Sequence, residues 1–207
     1  MLLIWIATVC HWWKSRLLHG GVIDFFLFLW YYSKNLLGDW EMLIAHMPTG
    51  YIVSKALKKQ PENSLILSSL LFSIWPDLDL IYFYFFDSTK TFHHRYFPHL
   101  PIVMIVVFII TLPLYNLKFF KSTRIYFRLF YINWLIHLIL DTFVGGVLWL
   151  YPISNHPFLF VEIPAVYNHW IISFVLHWSF AIELAIVAFA LILFLKTKKH
   201  RQTITFK

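Results

Sequence analysis

The chain has 207 residues, of which 60% are hydrophobic, 21% aromatic and only 13% charged. Soluble domains carry about 25% charged residues, so this composition excludes an ordinary soluble globule and favours a single membrane domain. The net charge of +7 does not indicate nucleic-acid binding, because Lys and Arg form short clusters between apolar runs instead of one polar face.

The first 41 residues are the least regular part of the sequence. Their apolar runs are short or interrupted by charges such as Asp24. One interpretation is a signal-anchor helix, since the small-residue cleavage site of a secretory signal peptide is missing. The other is an extension upstream of a natural start at Met42. Both divide the chain into an extension, 1–41, and a membrane domain, 42–207.

Four apolar stretches reach the roughly 20 residues that a helix needs to cross a ~30 Å hydrocarbon layer. They are residues 65–86, 99–116, 126–150 and 170–195. A fifth, shorter stretch runs from Leu43 to Leu57. The predicted fold class is therefore all-α: a polytopic membrane helical bundle of four long transmembrane helices, a short N-terminal core helix and the N-terminal extension.

Basic residues alternate strongly between the predicted loops. Twelve Lys and Arg residues cluster at 55–59, 118–128 and 196–207, whereas the loops 87–98 and 151–169 contain only Lys90 and Arg95. The positive-inside rule therefore predicts that these two loops lie outside the cytoplasm.

Ionisable side chains inside a bilayer cost ~2.5–3.5 kcal/mol each on insertion scales, so they are candidates for function. Asp77 and Asp79 follow Pro76, which removes a helix hydrogen bond. Two residues apart, they can serve one site only if the helix is distorted there. A kink with one Asp as a helix cap is the alternative.

A second group precedes the next span in TFHHRYFPHLP, which contains His93, His94, Arg95 and His99. Metal ligation by His94 and His99 is the functional interpretation, with Arg95 binding an anion such as phosphate. Interfacial residues without a catalytic role are the alternative.

The pair His137 and Asp141 in HLILD is the most informative, because residues four apart share one face of a helix. They could bind one ion together, the Asp could orient the imidazole, or the two could simply form a buried hydrogen bond. Thr142, Gly145 and Gly146 follow, and the glycines would let another backbone or a substrate approach closely.

Weaker signals lie near the last span and in the short first helix. His169 and His177 are eight residues apart, on neighbouring faces, and Glu183 could pair with a histidine. His46 would lie near the outer end of the short helix. The inner half of the last span, 184–195, has no ionisable group, which argues against a channel or transporter because these need a polar lining through the membrane.

Four motifs occur in order over residues 42–195: HMPTGY from His46, PDLD from Pro76, HHRYFPH from His93, and HLILDTFVGGVLWLYP from His137. In this combination the chain resembles the membrane-bound metal-dependent hydrolases of the YdjM type. The resemblance implies a bacterial inner-membrane protein whose His-x-x-x-Asp element is similar to that of zinc-dependent phospholipases C. The chain departs from the family pattern at Pro98, where a threonine is usual.

We therefore predict an integral membrane hydrolase that uses one or two Zn²⁺ ions to cleave a phosphoester of a lipid or lipid-linked substrate at the extracytoplasmic face. Because Cys10 is the only cysteine, the ligands must be His and carboxylate side chains. The predicted ligands are His46, Asp77, Asp79, His94, His99, His137 and Asp141.

The predicted catalytic residues are Asp79 as proton acceptor, Arg95 as stabiliser of developing charge, and Asp141. Supporting residues around the ligands are His93, Thr142, His169, His177 and Glu183. The expected partners are membrane lipids and not nucleic acid. Two alternatives stay open: a metal-binding membrane protein without turnover, and a small transporter.

Overall fold

The structure, a computed structural model, describes residues 43–87, 93–168 and 170–205; the predicted extension 1–41 lies outside them. Within the described residues the chain is all-helical, as predicted, with one isolated β-bridge between Val147 and Phe158 and no β-strand. The α-helices of these described residues are seven: α1 Leu43–Leu57, α2 Asn63–Ser73, α3 Asp79–Phe85, α4 Pro101–Asn116, α5 Arg124–Val144, α6 Trp170–Val175 and α7 Phe180–Thr205.

Helix α5 is the centre of the packing. It contacts α1, α2 and α4, and α1 in turn contacts α2 and α7. Leu129, Trp134 and Leu138 on α5 are almost fully buried in two apolar clusters. The residues that share this helix with them, His137 and Asp141, are buried as well. The amphipathic pattern of α5 therefore places polar side chains inside the bundle.

Small and polar residues bring α1, α2 and α5 close together. A Cβ atom added at Gly50 would lie 2.7 Å from the Ser69 carbonyl oxygen and from Ser73 Oγ. Ser69 Oγ donates a hydrogen bond to the Gly50 carbonyl at 2.7 Å, and Asn133 Nδ2 donates to Ser69 Oγ at 2.9 Å. Close contact through small residues, with hydrogen bonds between helices, is typical of packing in membranes.

Two helical segments are long and apolar enough to cross a membrane, Lys118–Val144 and Phe180–Lys198. The first consists of α5 and the 3₁₀ segment that precedes it. A third candidate is the pair Asn63–Ser73 and Pro76–Phe83, which is bent by 62°. Two or three candidate spans are thus found in the described part of the chain, where four unbroken long helices were predicted.

The difference has local causes. The predicted 65–86 helix is interrupted by a 3₁₀ turn that begins at Pro76, which cannot donate a helix hydrogen bond. The predicted 99–116 helix begins only at Pro101, because Phe97–His99 form a separate 3₁₀ turn. Helix α4 has 16 residues. At 1.5 Å per residue this is about 24 Å, shorter than a ~30 Å hydrocarbon layer.

Candidate metal centre

Six ionisable side chains from separate segments meet at one end of the bundle. Their exposure is low throughout, and it is greatest for the Asp77 side chain at 12%. Helix α1, the 3₁₀ turn before α3, two 3₁₀ turns before α4, and α5 supply them: His46, Asp77, His94, His99, His137 and Asp141.

Four donor atoms point at one another in the middle of this group, and we call them the four-donor cluster. His137 Nε2 lies 3.1 Å from Asp141 Oδ2, 3.4 Å from Asp77 Oδ1 and 3.3 Å from His99 Nε2. His99 Nε2 lies 3.5 Å from Asp141 Oδ2 and 3.7 Å from Asp77 Oδ1. Two imidazoles and two carboxylates thus converge in a buried space.

The outer nitrogen of three imidazoles is held by an oxygen atom. His137 Nδ1 donates to the Ser73 carbonyl at 2.8 Å, and His94 Nδ1 donates to the Gly145 carbonyl at 2.7 Å. His99 Nδ1 donates to Asp79 Oδ2 at 2.6 Å. Since a carbonyl oxygen only accepts, Nδ1 of His137 and of His94 carries a hydrogen, and Nε2 is the nitrogen that a neutral ring can offer to a metal. Metal-binding histidines are oriented in this way.

Asp77 and Asp79 flank the same imidazole. Asp77 approaches His99 on the Nε2 side, and Asp79 binds it on the Nδ1 side. The 3₁₀ turn after Pro76 supplies the distortion that both carboxylates need to reach one site. Asp79 therefore lies behind His99, a position that suits orienting the ring and that differs from the positions of the other predicted ligands.

His46 contacts the cluster from α1. Its Nε2 lies 3.0 Å from Asp141 Oδ1, and its ring stacks on His137 with 3.9 Å between the centroids. Three groups of side chains have donor atoms within 4.8 Å of one another and could hold a metal ion: His46, His137 and Asp141; Asp77, His99 and His137; His94, His99 and Asp141. The chemistry of this donor set, nitrogen and carboxylate oxygen, fits a divalent transition metal.

The charges of the cluster favour a positive ion. Burial alone would lower the pKa of His99, but the neighbouring carboxylates of Asp77, Asp79 and Asp141 outweigh burial and raise the pKa to about 9. Burial lowers the pKa of His94 to about 4, although the Asp141 carboxylate opposes this. Without a metal, a proton on His99 therefore supplies the positive charge that the carboxylates require, while His94 stays neutral at pH 7.

A family model described as YdjM inner membrane protein matches residues 42–203, most of the chain. The chain belongs to the YdjM inner membrane protein family. The resemblance seen in the four motifs is thereby confirmed, and an inner-membrane family agrees with the two or three candidate spans. No curated protein and no solved structure matches the chain.

Three other predicted site residues of this YdjM family member are not among the donors of the four-donor cluster. Thr142 is buried, donates to the Leu138 carbonyl at 2.6 Å and accepts a hydrogen bond from Trp149 Nε1 at 2.8 Å, so it stabilises the end of α5. Arg95 is exposed beside His94. His177 Nδ1 lies 2.9 Å from Ser179 Oγ at the start of α7.

Glu183, one of the predicted supporting residues, lies on α7. It is only 2% exposed, and neither carboxylate oxygen has a hydrogen-bond partner in the part of the chain that the structure describes. The predicted pairing of Glu183 with a histidine is therefore not seen there. The side chain of His93, and His169 as a whole, lie outside the described residues.

The residues that the sequence did not point to act mainly through their backbone. The Ser73 carbonyl orients His137, and the Pro98 carbonyl accepts a hydrogen bond from Trp134 Nε1 at 2.7 Å, which ties the His99 turn to α5. Every residue has a backbone carbonyl, so the residue type does not show which carbonyl will accept a hydrogen bond. Gly145 did carry a signal, since a close approach was expected at this glycine, and His94 is the group that approaches.

Proposed function

We propose that this protein is a metal-dependent hydrolase of the bacterial inner membrane, which cleaves a phosphoester of a lipid or lipid-linked substrate near the extracytoplasmic face. The observation that carries the proposal is the four-donor cluster, in which oriented Nε2 atoms of His99 and His137 face Asp77 and Asp141. The Ser73 carbonyl and the Asp79 carboxylate hold the outer nitrogens of these two rings, which turns their Nε2 atoms toward the two carboxylates.

The spacing of the cluster supports Zn²⁺ as the ion. Catalytic zinc sites use three imidazole or carboxylate ligands at about 2.0–2.2 Å and keep a fourth position open for water. Groups of three such side chains are present, among them Asp77, His99 and His137. The donor distances in the cluster that involve an imidazole nitrogen run from 3.1 to 3.7 Å. Two carboxylates also neutralise a dication, which lowers the cost of burying its charge. His94 and His46 are available as further ligands, for the same ion or for a second one.

When bound, such an ion would act as a Lewis acid and supply a hydroxide nucleophile at neutral pH. The protein's own residues have separate tasks. Asp79 fixes the ring of His99, and His46 holds the outer oxygen of Asp141. Asp77 Oδ2 and Asp79 Oδ1 accept no hydrogen bond from a described residue, so either can accept a proton during hydrolysis.

The substrate class and the topology rest on where the charges lie. Lys118 and Lys121 lie at the end of the Lys118–Val144 span opposite to Asp141, and the positive-inside rule assigns such a basic end to the cytoplasm. The cluster would then open at the outer boundary between lipid and water. Exposed Arg95, next to His94, would stabilise the charge of a phosphoester there. In this proposal the chain crosses the membrane four times: through the two candidate spans, through the bent α2–α3 pair and through α4.

The test is metal analysis and hydrolysis by the purified full-length protein in phosphatidylglycerol vesicles. We expect bound zinc and release of the phosphorylated headgroup, both of them lost in His137→Gln. Asp141→Asn should abolish turnover and weaken metal binding. His177→Gln is the matched control, because this histidine contacts Ser179 instead of the cluster. Bound zinc without hydrolysis of any lipid phosphoester would favour a metal-binding protein without turnover.

A further inference from the structure

The segment that follows α5, residues 150–167, is apolar and turns its side chains outward. Among residues 147–168 only one Lys, Arg, Asp or Glu occurs, Glu162. Ile153 is 92% exposed, Phe160 71% and Val166 69%. Exposed apolar side chains gathered in one segment are rare on a protein surrounded by water and mark contact with a membrane or a partner.

Main-chain hydrogen bonds hold this segment in place. Val147 and Phe158 exchange a pair of hydrogen bonds at 2.9 Å. The N–H groups of Phe160 and Val161 donate to carbonyl oxygens of the last turn of α5, also at 2.9 Å, and the Phe160 ring packs 5.3 Å from that of Phe143. The segment is therefore fixed to the end of α5 at Phe158, Phe160 and Val161.

The same main chain lies beside the metal ligands. Phe160 N donates to the carbonyl of Thr142, the residue directly after Asp141. The Gly145 carbonyl, in the same stretch, orients His94. The exposed apolar surface and the four-donor cluster thus share the C-terminal turn of α5.

We infer that residues 150–167 lie at the boundary between headgroups and acyl chains of the extracytoplasmic leaflet and form the surface along which a membrane lipid reaches the four-donor cluster. Leu135 and Ile139 of the candidate span, 39% and 41% exposed, add apolar side chains on α5. Trp178, 61% exposed before α7, adds the kind of aromatic side chain that lies at a membrane interface. The segment contains no Lys or Arg, and its polar residues Ser154, Asn155, His156 and Glu162 suit a position at the water boundary.

This inference rests on the proposed function for its reaction and adds that the substrate carries acyl chains. Binding along an apolar surface gains free energy in proportion to the area removed from water. A substrate without chains would gain nothing from this surface. Its headgroup would have to find the cluster without that gain.

The test measures the depth of the segment in the bilayer. Ile153→Cys and Phe160→Cys are each made in full-length protein whose only natural cysteine is replaced by Cys10→Ser, and Lys121→Cys is the control at the basic end. Each variant is labelled with a fluorophore in phosphatidylethanolamine and phosphatidylglycerol vesicles. We expect strong quenching by doxyl-labelled lipid at the first two positions, and iodide quenching several-fold weaker than at Lys121→Cys.

Two results would overturn the inference. Iodide quenching equal to that of Lys121→Cys would mean that the segment lies in water. Protection from both quenchers, together with a dimer in crosslinking, would mean that a second copy of the chain covers it. In the same vesicles, phosphatidylglycerol with a photoreactive acyl chain should crosslink to residues 150–167. Neither measurement needs metal or turnover, so their failure is separate from failure of the hydrolase proposal.

Discussion

His99 Nε2 and His137 Nε2 lie 3.3 Å apart, although 38 residues separate the two histidines in sequence. Both rings donate through Nδ1 to an oxygen, so two lone pairs would face each other between the carboxylates of Asp77 and Asp141 if both rings were neutral. Only a proton on one ring or a cation between them makes this arrangement favourable. The state of the site therefore depends on both pH and metal.

The stability of the metal-free protein should depend on pH through His99 and His94. The pKa of His99 is raised from 6.5 to about 9 in the folded state, so its contribution is complete below pH 6.5 and is lost as the pH rises towards 9. The pKa of His94 is lowered to about 4, so below pH 6.5 the unfolded state takes up a proton that the folded state does not, and stability falls as the pH falls towards 4.

Thermal unfolding of the chelator-treated protein between pH 4 and pH 9 measures how stability changes with pH on the acid side, through His94, and on the alkaline side, through His99. His99→Gln should flatten the alkaline side, and His94→Gln should flatten the acid side. An unfolding temperature that does not change between pH 6.5 and 9 would contradict the charge assigned to His99.

Gly145→Ala should weaken metal binding. The added Cβ would lie 2.1 Å from His94 Cε1 and 2.8 Å from its Nδ1, so the ring must leave its position on the Gly145 carbonyl. Loss of an outer partner of a ligand costs about 10–100-fold in metal affinity. Zinc titration of the purified variant measures this. In a His94→Ala background the same substitution should add little, because the clashing ring is gone.

Asp79 and Asp141 should respond differently to amide substitution. Asp79→Asn keeps an oxygen that can accept the hydrogen of His99 Nδ1, so only a small loss of zinc affinity is expected. Asp79→Ala removes the acceptor and should cost about 10–100-fold. Asp141→Asn replaces a carboxylate of the four-donor cluster and should lose more. Equal losses in Asp79→Asn and Asp141→Asn would instead make Asp79 a ligand, as the sequence alone predicts.

Parts of this site follow from sequence spacing. The four-residue spacing of His137 and Asp141 predicts a shared helix face, and the two side chains approach to 3.1 Å. Pro76 predicts the distortion that lets Asp77 and Asp79 reach one imidazole. These features are local, because they depend on helix geometry and on the missing N–H of proline.

The rest depends on tertiary packing, which single residues do not encode. Nothing in the sequence indicates that the Ser73 carbonyl accepts from His137, because every residue has a carbonyl. The apolar stretch is longer than helix α4, because Pro98 and Pro101 determine where the helix begins and hydropathy does not. The position of Asp79 behind His99 depends on how far the 3₁₀ turn rotates, which spacing alone leaves open.

Asn133 and Ser69 should be energetically coupled. Asn133 Nδ2 donates to Ser69 Oγ between α5 and α2, and both residues are buried. A double-mutant cycle with Asn133→Ala and Ser69→Ala should give a coupling of about 0.6 kcal/mol, the average for such bonds in a membrane. Unfolding free energies in bicelles supply the cycle. Zinc content should stay unchanged, and its loss would contradict a purely packing role.

Glu183→Met should stabilise the protein. Both carboxylate oxygens of Glu183 lack a hydrogen-bond partner among the described residues, and the side chain is 2% exposed. An unsatisfied buried polar group costs about 1–3 kcal/mol, which methionine would recover by packing in the same space. The free energy of unfolding measures the gain, with Glu183→Gln as the polar control. A more stable variant with slower hydrolysis would mean that Glu183 serves the reaction at the expense of the fold. A less stable variant would mean that its carboxylate has a partner outside the described residues.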